Sequence, residues 1–385
     1  MSWTKQTIAY FLMGLFFLSA LKLFDIGVGL ILFKKIHHQE KILLTQRALN
    51  LKEYAPNQSM EITPPDAYIE TAGNLVQKAY SVNIDNNGFI ANGNDIDQFS
   101  DTYSIIFFGS STTEALFVDE RSRFPSVIER SLIDYDGFNI RTLNGGVSGN
   151  HSLHSLLSYI GKGLLERPSH VVLMNNGADL SLLSKTGSYW ISPSYREIIK
   201  DTNRNMITRV IDTLRGVKNL LVPNTYEKVR PLFFPQGIRP ELFDEWAGYR
   251  ENILLYSQIE PILNKQFRAS IESFVVVSRA WGIEPVLMTQ FSRLKLKLCF
   301  GEQYDKLQNK LACEDIVKLH QYGNEIIRSV AAEQDVNLID LVKEFPQTGD
   351  YIYDSMHLNE KGSLLVGKII TEHFIDFFGD TFKSK

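Results

Sequence analysis

Residues 104–113 read Ser-Ile-Ile-Phe-Phe-Gly-Ser-Ser-Thr-Thr, an apolar run followed at once by small and hydroxyl-bearing residues. A short, uninterrupted apolar run is typical of a strand in a parallel sheet that is buried on both faces. Ser111 would then lie just beyond the carboxyl end of that strand. In open α/β sheets ligands bind at this edge, so Ser111 is a candidate functional residue.

Strand and helix patterns alternate along the rest of the chain. The strands are predicted at 105–108, 139–143, 171–174, 285–289 and 337–341, and the helices at 124–133, 153–165, 267–280, 317–332 and 362–378. Alternation of this kind predicts parallel βαβ units. The predicted fold class is therefore α/β, a three-layer α/β/α sandwich with a parallel sheet, preceded by one N-terminal transmembrane helix.

A second motif, Asp354-Ser355-Met356-His357, lies near the C-terminus. A serine is a poor nucleophile at neutral pH and needs a base within hydrogen-bond reach, which a third group must orient. His357 and Asp354 can supply both from one turn of the chain. Ser111, His357 and Asp354 are therefore predicted to form a catalytic triad. The structural alternative is that these residues cap helices.

Two further blocks follow the next two predicted strands. Residues 144–150 read Asn-Gly-Gly-Val-Ser-Gly-Asn, and residues 174–180 read Met-Asn-Asn-Gly-Ala-Asp-Leu. Together with the serine and Asp-x-x-His segments, these blocks resemble those of the SGNH, or GDSL-like, hydrolases over most of residues 83–375. The resemblance implies a flavodoxin-like sheet, with Ser111 as nucleophile and Gly149 as a backbone donor to the oxyanion.

The third block departs from the family pattern. When it is aligned on Asp179, Ala178 occupies the position of an asparagine that helps to bind the oxyanion. Asn176 supplies the donor from a shifted backbone, or the hole uses only the N–H groups of Ser111 and Gly149, or the enzyme is impaired. The predicted oxyanion-hole residues are Ser111, Gly149 and Asn176. Loss of one oxyanion donor typically lowers kcat by about 10²–10³.

The function that the resemblance implies is a serine esterase. Its substrate would be an O-acylated, and first of all O-acetylated, carbohydrate or related ester. One alternative is an O-acyltransferase of an exported polysaccharide that uses the same triad. Another is a catalytically impaired glycan-binding or assembly protein, which Ala178 favours. The mechanism requires no metal and no organic cofactor.

Composition indicates no nucleic-acid partner. The chain has 385 residues, 44% hydrophobic and 22% charged, with a formal net charge of -4, so no polyanion-binding surface is indicated. Cys299 and Cys313 are either one disulfide or two thiols. His151 and His154 lie three apart without an evident third ligand, so together with His170 they are interpreted as structural rather than metal-binding.

The N-terminus is unlike the rest of the chain. Residues 8–33 are mostly apolar, long enough for one membrane-spanning helix of about 20 residues. Lys22 and Asp25 would share a face of that helix and contact a membrane-protein partner, or Lys22 snorkels to the interface. Lysines after the span favour a cytoplasmic domain, whereas the common plan of anchored hydrolases favours export. We predict a single-pass protein of the bacterial inner membrane with a periplasmic domain.

These patterns divide the chain into three parts. Residues 1–35 are the predicted anchor, residues 36–100 a charged stalk and irregular lead-in, and residues 101–385 the hydrolase-like domain. At about 187–260 an aromatic, proline-bearing insertion breaks the rhythm. It is interpreted either as a cap or lid over the site or as a partner-facing or structural excursion.

Overall fold

The structure is a computed structural model. It describes residues 47–66, 69, 74–93, 103–136, 140–191, 197–201, 254–293 and 313–383, together with scattered positions between 10 and 23. The chain divides into two compact units. The smaller unit contains a two-stranded antiparallel sheet, and the larger unit contains the fold and the site described below.

The described residues contain nine strands. They are β1 (Arg47–Leu49), β2 (Ser59–Ile62), β3 (Tyr80–Asn83), β4 (Tyr103–Gly109), β5 (Ile140–Gly146), β6 (His170–Met174), β7 (Ile199–Asp201), β8 (Glu284–Met288) and β9 (Asn337–Ile339). Strands β1 and β7 pair antiparallel in the smaller unit, and β2 pairs antiparallel with β3. The other five form a parallel sheet in the order β5-β4-β6-β8-β9.

Helices follow most strands of the parallel sheet. They are α1 (Ser111–Glu114), α2 (Phe124–Asp136), α3 (Ser152–Gly161), α4 (Gly177–Thr186), α5 (Tyr256–Ile262), α6 (Arg268–Ala280), α7 (Cys313–Glu333), α8 (Leu341–Glu344) and α9 (Glu360–Lys383). A short π-helical segment, Leu263–Phe267, joins α5 to α6. The predicted strands and helices agree with these bounds to within a few residues.

Helices cover both faces of the parallel sheet. Successive side chains of a strand point to opposite faces, and in β4 Ile105 and Phe107 join a core cluster with residues of α2 and α9. Ile106 and Phe108 join a second cluster with residues of α3, α6 and α7. All four side chains are buried. The predicted three-layer α/β/α sandwich with a parallel sheet is confirmed.

The strand order places a crevice beside β4. The chain passes from β4 to β5 on one side and then crosses to β6 on the other side of β4. Such a reversal separates the connections that follow neighbouring strands and opens the sheet edge to a ligand. The carboxyl end of β4, which precedes Ser111, lies at this point.

The lead-in is more ordered than predicted. Within residues 57–101, the buried side chains of Val82, Ile84 and Ile90 form a small hydrophobic cluster. The N–H of Ile90 donates to the carbonyl of Asn144 at 2.9 Å, which attaches this segment to the edge strand β5. Turn-forming asparagine, aspartate and glycine residues surround these short strands and obscure their pattern in the sequence.

Several predictions lie outside the described residues, wholly or in part. Most of residues 8–33 is not described, including Lys22 and Asp25. Among the helices that are described, none has the length and apolar character needed to cross a bilayer. Residues 202–253, most of the predicted insertion, and Cys299 are also outside. The anchor, its partner contact, the lid and the disulfide stay predictions.

We expect Phe108→Ala to lower the free energy of unfolding by about 3–5 kcal/mol. The ring is buried against Tyr159 and Phe274, with centroid distances of 5.6 and 6.5 Å, so truncation leaves a cavity. Denaturant titration followed by circular dichroism measures the loss. Leu165→Ala is the control, because Leu165 is 79% exposed and its loss should stay within about 0.5 kcal/mol. Equal losses in the two variants would contradict this core.

Candidate active site

A tight strand-to-helix turn places Ser111 at the edge of the sheet. Ser110 is extended, with φ -96° and ψ -155°, and α1 begins at Ser111. Gly109 permits the close approach of β4 to β6, because a Cβ at this position would lie 2.7 Å from the carbonyl oxygen of Met174. Ser111 therefore lies where the sequence predicts it.

Ser111, His357 and Asp354 form a continuous hydrogen-bonded chain. His357 Nε2 lies 2.6 Å from Ser111 Oγ, and His357 Nδ1 lies 2.5 Å from Asp354 Oδ2. Asp354 Oδ1 accepts the backbone N–H groups of Met356 at 2.9 Å and of His357 at 2.8 Å. With both oxygens engaged, the carboxylate fixes the ring and favours the tautomer with the proton on Nδ1.

Opposing influences set the pKa values of His357 and Asp354. Burial lowers the pKa of His357, but the charge and hydrogen bond of Asp354 and the charge of Glu114 outweigh it, so the pKa is raised. Burial raises the pKa of Asp354, but His357 and the two backbone N–H groups outweigh it, so this pKa is lowered. An ionised carboxylate thus supports an imidazole that can accept the proton of Ser111.

Aromatic side chains support the imidazole ring. Tyr353 stacks on His357 with ring centroids 5.7 Å apart and an angle of 17° between the planes. Phe117 packs against Tyr353 at 6.2 Å, and the N–H of Tyr353 donates to the carbonyl of His357 at 2.9 Å. The ring is therefore held by packing as well as by its two hydrogen bonds.

The turn after β5 carries Gly149, the predicted second donor. Gly149 has a φ of +73°, a conformation that glycine adopts without a steric penalty. The N–H of Val147 donates to the carbonyl of Gly109 at 3.2 Å, which sets this turn beside the turn that precedes Ser111. Within the described residues, the N–H groups of Ser111 and Gly149 donate to no other group. Both are therefore available as donors, as the predicted oxyanion hole requires.

The side-chain amide of Asn176, the predicted third donor, has a partner within the protein. Its side chain is fully buried, and its Nδ2 donates to the backbone carbonyl of His320 in α7 at 2.8 Å. A Cβ on Gly323 of α7 would lie 2.8 Å from Asn176 Cγ, which shows how closely the amide packs on this helix. The amide is directed into the protein interior, and Ala178 has no donor to replace it.

Asp179 of the third block accepts hydrogen bonds from other parts of the protein interior. Its Oδ1 accepts the N–H of Ser152 at 2.8 Å, the hydroxyl of Ser152 at 2.6 Å and the hydroxyl of Tyr189 at 2.5 Å. Burial outweighs these hydrogen bonds, which act to lower the pKa, and raises the pKa of Asp179 to about 6. Ser152 is the first residue of α3, so Asp179 anchors the helix that follows the Gly149 turn.

The sequence patterns do not single out Gln290, which joins the turn around Ser111 to α4. Its Oε1 accepts the N–H of Gly177 at 2.7 Å, and its Nε2 donates to Thr112 Oγ1 at 3.0 Å. Asn324 of α7 binds the backbone of Gln290 at 2.9 and 3.0 Å. The partners of Gln290 lie 113 and 178 positions away in the sequence. The one feature of the sequence that could have identified Gln290 is therefore its place as a polar residue just after a predicted strand.

His151, His154 and His170 pack in the protein interior. His151 stacks on His154 at 3.9 Å and on Tyr189 at 4.5 Å. Burial lowers the pKa of His170 to about 4, which keeps this ring neutral at physiological pH. In the part of the chain that the structure describes, no three His, Cys, Asp or Glu side chains cluster to hold a metal ion.

No family model and no curated protein sequence matches the chain. The solved structures similar to it include a lipase/acylhydrolase from Enterococcus faecalis, 16% identical with a TM-score of 0.40, covering 71% of this chain and 95% of that one. They also include the acetyl xylan esterase AlAXEase, which is 18% identical with a TM-score of 0.40. That match covers 70% of this chain and 98% of the esterase. An acetyl xylan esterase from Geobacillus stearothermophilus is 14% identical with a TM-score of 0.37. That match covers 71% of this chain and 93% of the esterase.

We expect the pKa of His357 to lie above the ordinary value of about 6.5. Asp354→Asn removes the charge that raises this pKa and leaves burial, which lowers it, so the pKa should fall. Titration of the histidine ring resonances, assigned with His357→Gln, measures both values, and His170 is an internal control that should not move. An unchanged pKa in Asp354→Asn would contradict the described pair. A reaction that needs neutral His357 should accelerate as pH rises through the raised pKa.

Proposed function

We propose that the chain is a serine ester hydrolase of the SGNH type. The observation that carries the proposal is the run of hydrogen bonds from Ser111 through His357 to Asp354, at 2.6 and 2.5 Å. The nucleophile turn follows β4, and the Gly149 turn follows β5. This order supports the same assignment, because it agrees with the blocks that the sequence resembles.

In the proposed mechanism, Ser111 Oγ attacks the ester carbonyl carbon while His357 Nε2 takes its proton. Asp354 stabilises the imidazolium that forms. His357 then gives the proton to the leaving alcohol oxygen, and the acyl group remains on Ser111. Water attacks the acyl carbon after His357 removes its proton, the bond to Ser111 Oγ breaks, and the proton returns to Ser111. The enzyme regains its starting state and releases the acid.

Two backbone N–H groups form the oxyanion hole in this proposal, those of Ser111 and Gly149. The amide of Asn176 is engaged by His320, and Ala178 has no donor. One donor fewer lowers kcat by about 10²–10³. We therefore infer a slow hydrolase rather than an inactive one, because the nucleophile, the base and its carboxylate partner remain in hydrogen-bond contact.

The proposed substrate class is an O-acylated, in particular O-acetylated, carbohydrate. The resemblance of the four sequence blocks supports this class. Membrane location and export of the domain depend on the predicted anchor at residues 8–33 and are proposals of the same standing.

We expect Ser111→Ala to lower the kcat of the full chain for p-nitrophenyl acetate by at least about 10³-fold, because no other group replaces the attacking oxygen. A fluorophosphonate should label the wild type and leave Ser111→Ala unlabelled. Ser110→Ala is the matched control and should keep most of the activity, since this buried side chain makes no capping hydrogen bond to α1. Hydrolysis that persists in Ser111→Ala would overturn the assignment.

We expect Ala178→Asn to raise kcat by about 10-fold or more, because it restores a side-chain donor at the family's position. Ala178→Asp is the matched control. It has nearly the same shape, but an ionised aspartate accepts hydrogen bonds and does not donate them. Steady-state kinetics with p-nitrophenyl acetate compares the two variants. Equal rates in both would show that position 178 does not face the developing oxyanion.

A further inference from the structure

Glu114 is a buried carboxylate at the end of α1, the short helix that begins with Ser111. The residue is 1% exposed. Its Oε1 accepts the N–H of Ser148 at 2.9 Å and the hydroxyl of Tyr54 at 2.6 Å, and its Oε2 accepts the hydroxyl of Ser148. Burial of a carboxylate is unfavourable unless hydrogen bonds replace its hydration, and these three donors do so.

Two of the three donors belong to the turn that presents Gly149. Ser148 directly precedes Gly149, and the N–H of Asn150 donates to the carbonyl of Val147 at 3.0 Å to close the turn. Glu114 therefore holds the turn through the backbone and the side chain of the residue next to the donor. The same carboxylate cannot move far, because α1 packs against β5: a Cβ on Gly146 would lie 2.8 Å from Glu114 Cα.

The two oxyanion donors are thus set by one short helix. Ser111 is its first residue and supplies one N–H, and Glu114 is its last residue and fixes the turn that supplies the other. A hole with only two backbone donors depends strongly on the position of each one, because a misplacement of about 1 Å can lower a rate 10²-fold.

We propose that Glu114 is a positioning residue for the oxyanion hole and acts by holding Ser148 so that the Gly149 N–H points at the reacting carbonyl oxygen. This inference rests on the proposed ester hydrolase function. Glu114 does not touch the substrate and acts through the turn.

The charge of Glu114 is separable from its reach. Burial raises the pKa of Glu114, whereas the hydrogen bonds from Ser148 and Tyr54 and the charge of Lys52 lower it. The charge of Glu114 also acts to raise the pKa values of Arg123 and His357. A negative charge by itself repels an oxyanion, so the contribution to catalysis lies in the geometry that the carboxylate imposes on the turn.

Two conservative substitutions distinguish reach from charge. In Glu114→Gln the side chain keeps its length, Oε1 still accepts from Ser148 and Tyr54, and the new amide donates to the Ser148 hydroxyl, which also accepts hydrogen bonds. In Glu114→Asp the charge stays, but the side chain is one methylene shorter and withdraws from Ser148. The positioning role predicts that the glutamine variant is active and the aspartate variant is impaired.

We expect the kcat of the full chain for p-nitrophenyl acetate to fall about 10–10²-fold in Glu114→Asp, with KM changed less than about 2-fold, and to fall less than about 3-fold in Glu114→Gln. Tyr54→Phe is the matched control. It removes the third hydrogen bond to the same carboxylate and leaves both bonds from Ser148 in place, so it should lower the thermal midpoint and leave kcat near that of the wild type.

Three results would overturn the inference: wild-type kcat in Glu114→Asp, a greater loss in Glu114→Gln than in Glu114→Asp, or an equal loss in Tyr54→Phe. The last would show that Glu114 acts through stability alone. The wild type and Ser111→Ala are assayed in parallel. If the wild type shows no hydrolysis that depends on Ser111, the proposed function fails and the positioning role fails with it.

Discussion

The hydrogen bond between His357 Nε2 and Ser111 Oγ joins residues 246 positions apart and depends on the whole sandwich. Ser111 is placed by β4, an interior strand of the sheet whose side chains enter both core clusters. His357 is placed by the segment before α9, and α9 packs on the sheet through residues such as Phe374, 6.4 Å from Phe107. The hydrogen bonds from Ser111 through His357 to Asp354 therefore form only when the α9 layer is packed against the strand that precedes Ser111.

The segment that carries Asp354 and His357 is also braced locally. Asn359 donates from its backbone to Tyr351 at 3.0 Å and from its side chain to Asp350 at 2.9 Å. Its Oδ1 accepts the N–H of Gly362 in the first turn of α9 at 2.9 Å. These bonds tie the loop to the start of the helix, so core packing of α9 is transmitted to the imidazole. Preorganisation of this kind removes the entropy of orienting the base from the reaction step.

Local patterns predicted the parts of the molecule that local physics determines. Apolar runs identified β4 and β6, and the Asp-x-x-His spacing identified a pair that needs only one turn of chain. Gln290 and Glu114 escaped prediction because each acts through partners distant in sequence, and a buried polar side chain has no periodicity. The partner of the Asn176 amide escaped prediction for a related reason. The direction of its amide is decided by the close contact with α7, which a sequence does not display.

The third block shows how a site can lose a donor without losing its frame. In this block the aspartate and the missing asparagine have separate tasks. Asp179 accepts hydrogen bonds from Ser152 and Tyr189 at the start of α3, whereas the resemblance implies for position 178 only a side-chain donor to the oxyanion. In the proposed mechanism the alanine at 178 leaves the oxyanion one donor short, while the hydrogen bonds of Asp179 do not depend on that position. Under the proposed function, the departure from the family pattern therefore slows the chemical step and leaves the hydrogen bonds of Ser111, His357 and Asp354 and the Gly149 turn in place. In that proposal catalysis depends more on the two backbone donors, and hence on Glu114, which we propose holds the turn of one of them.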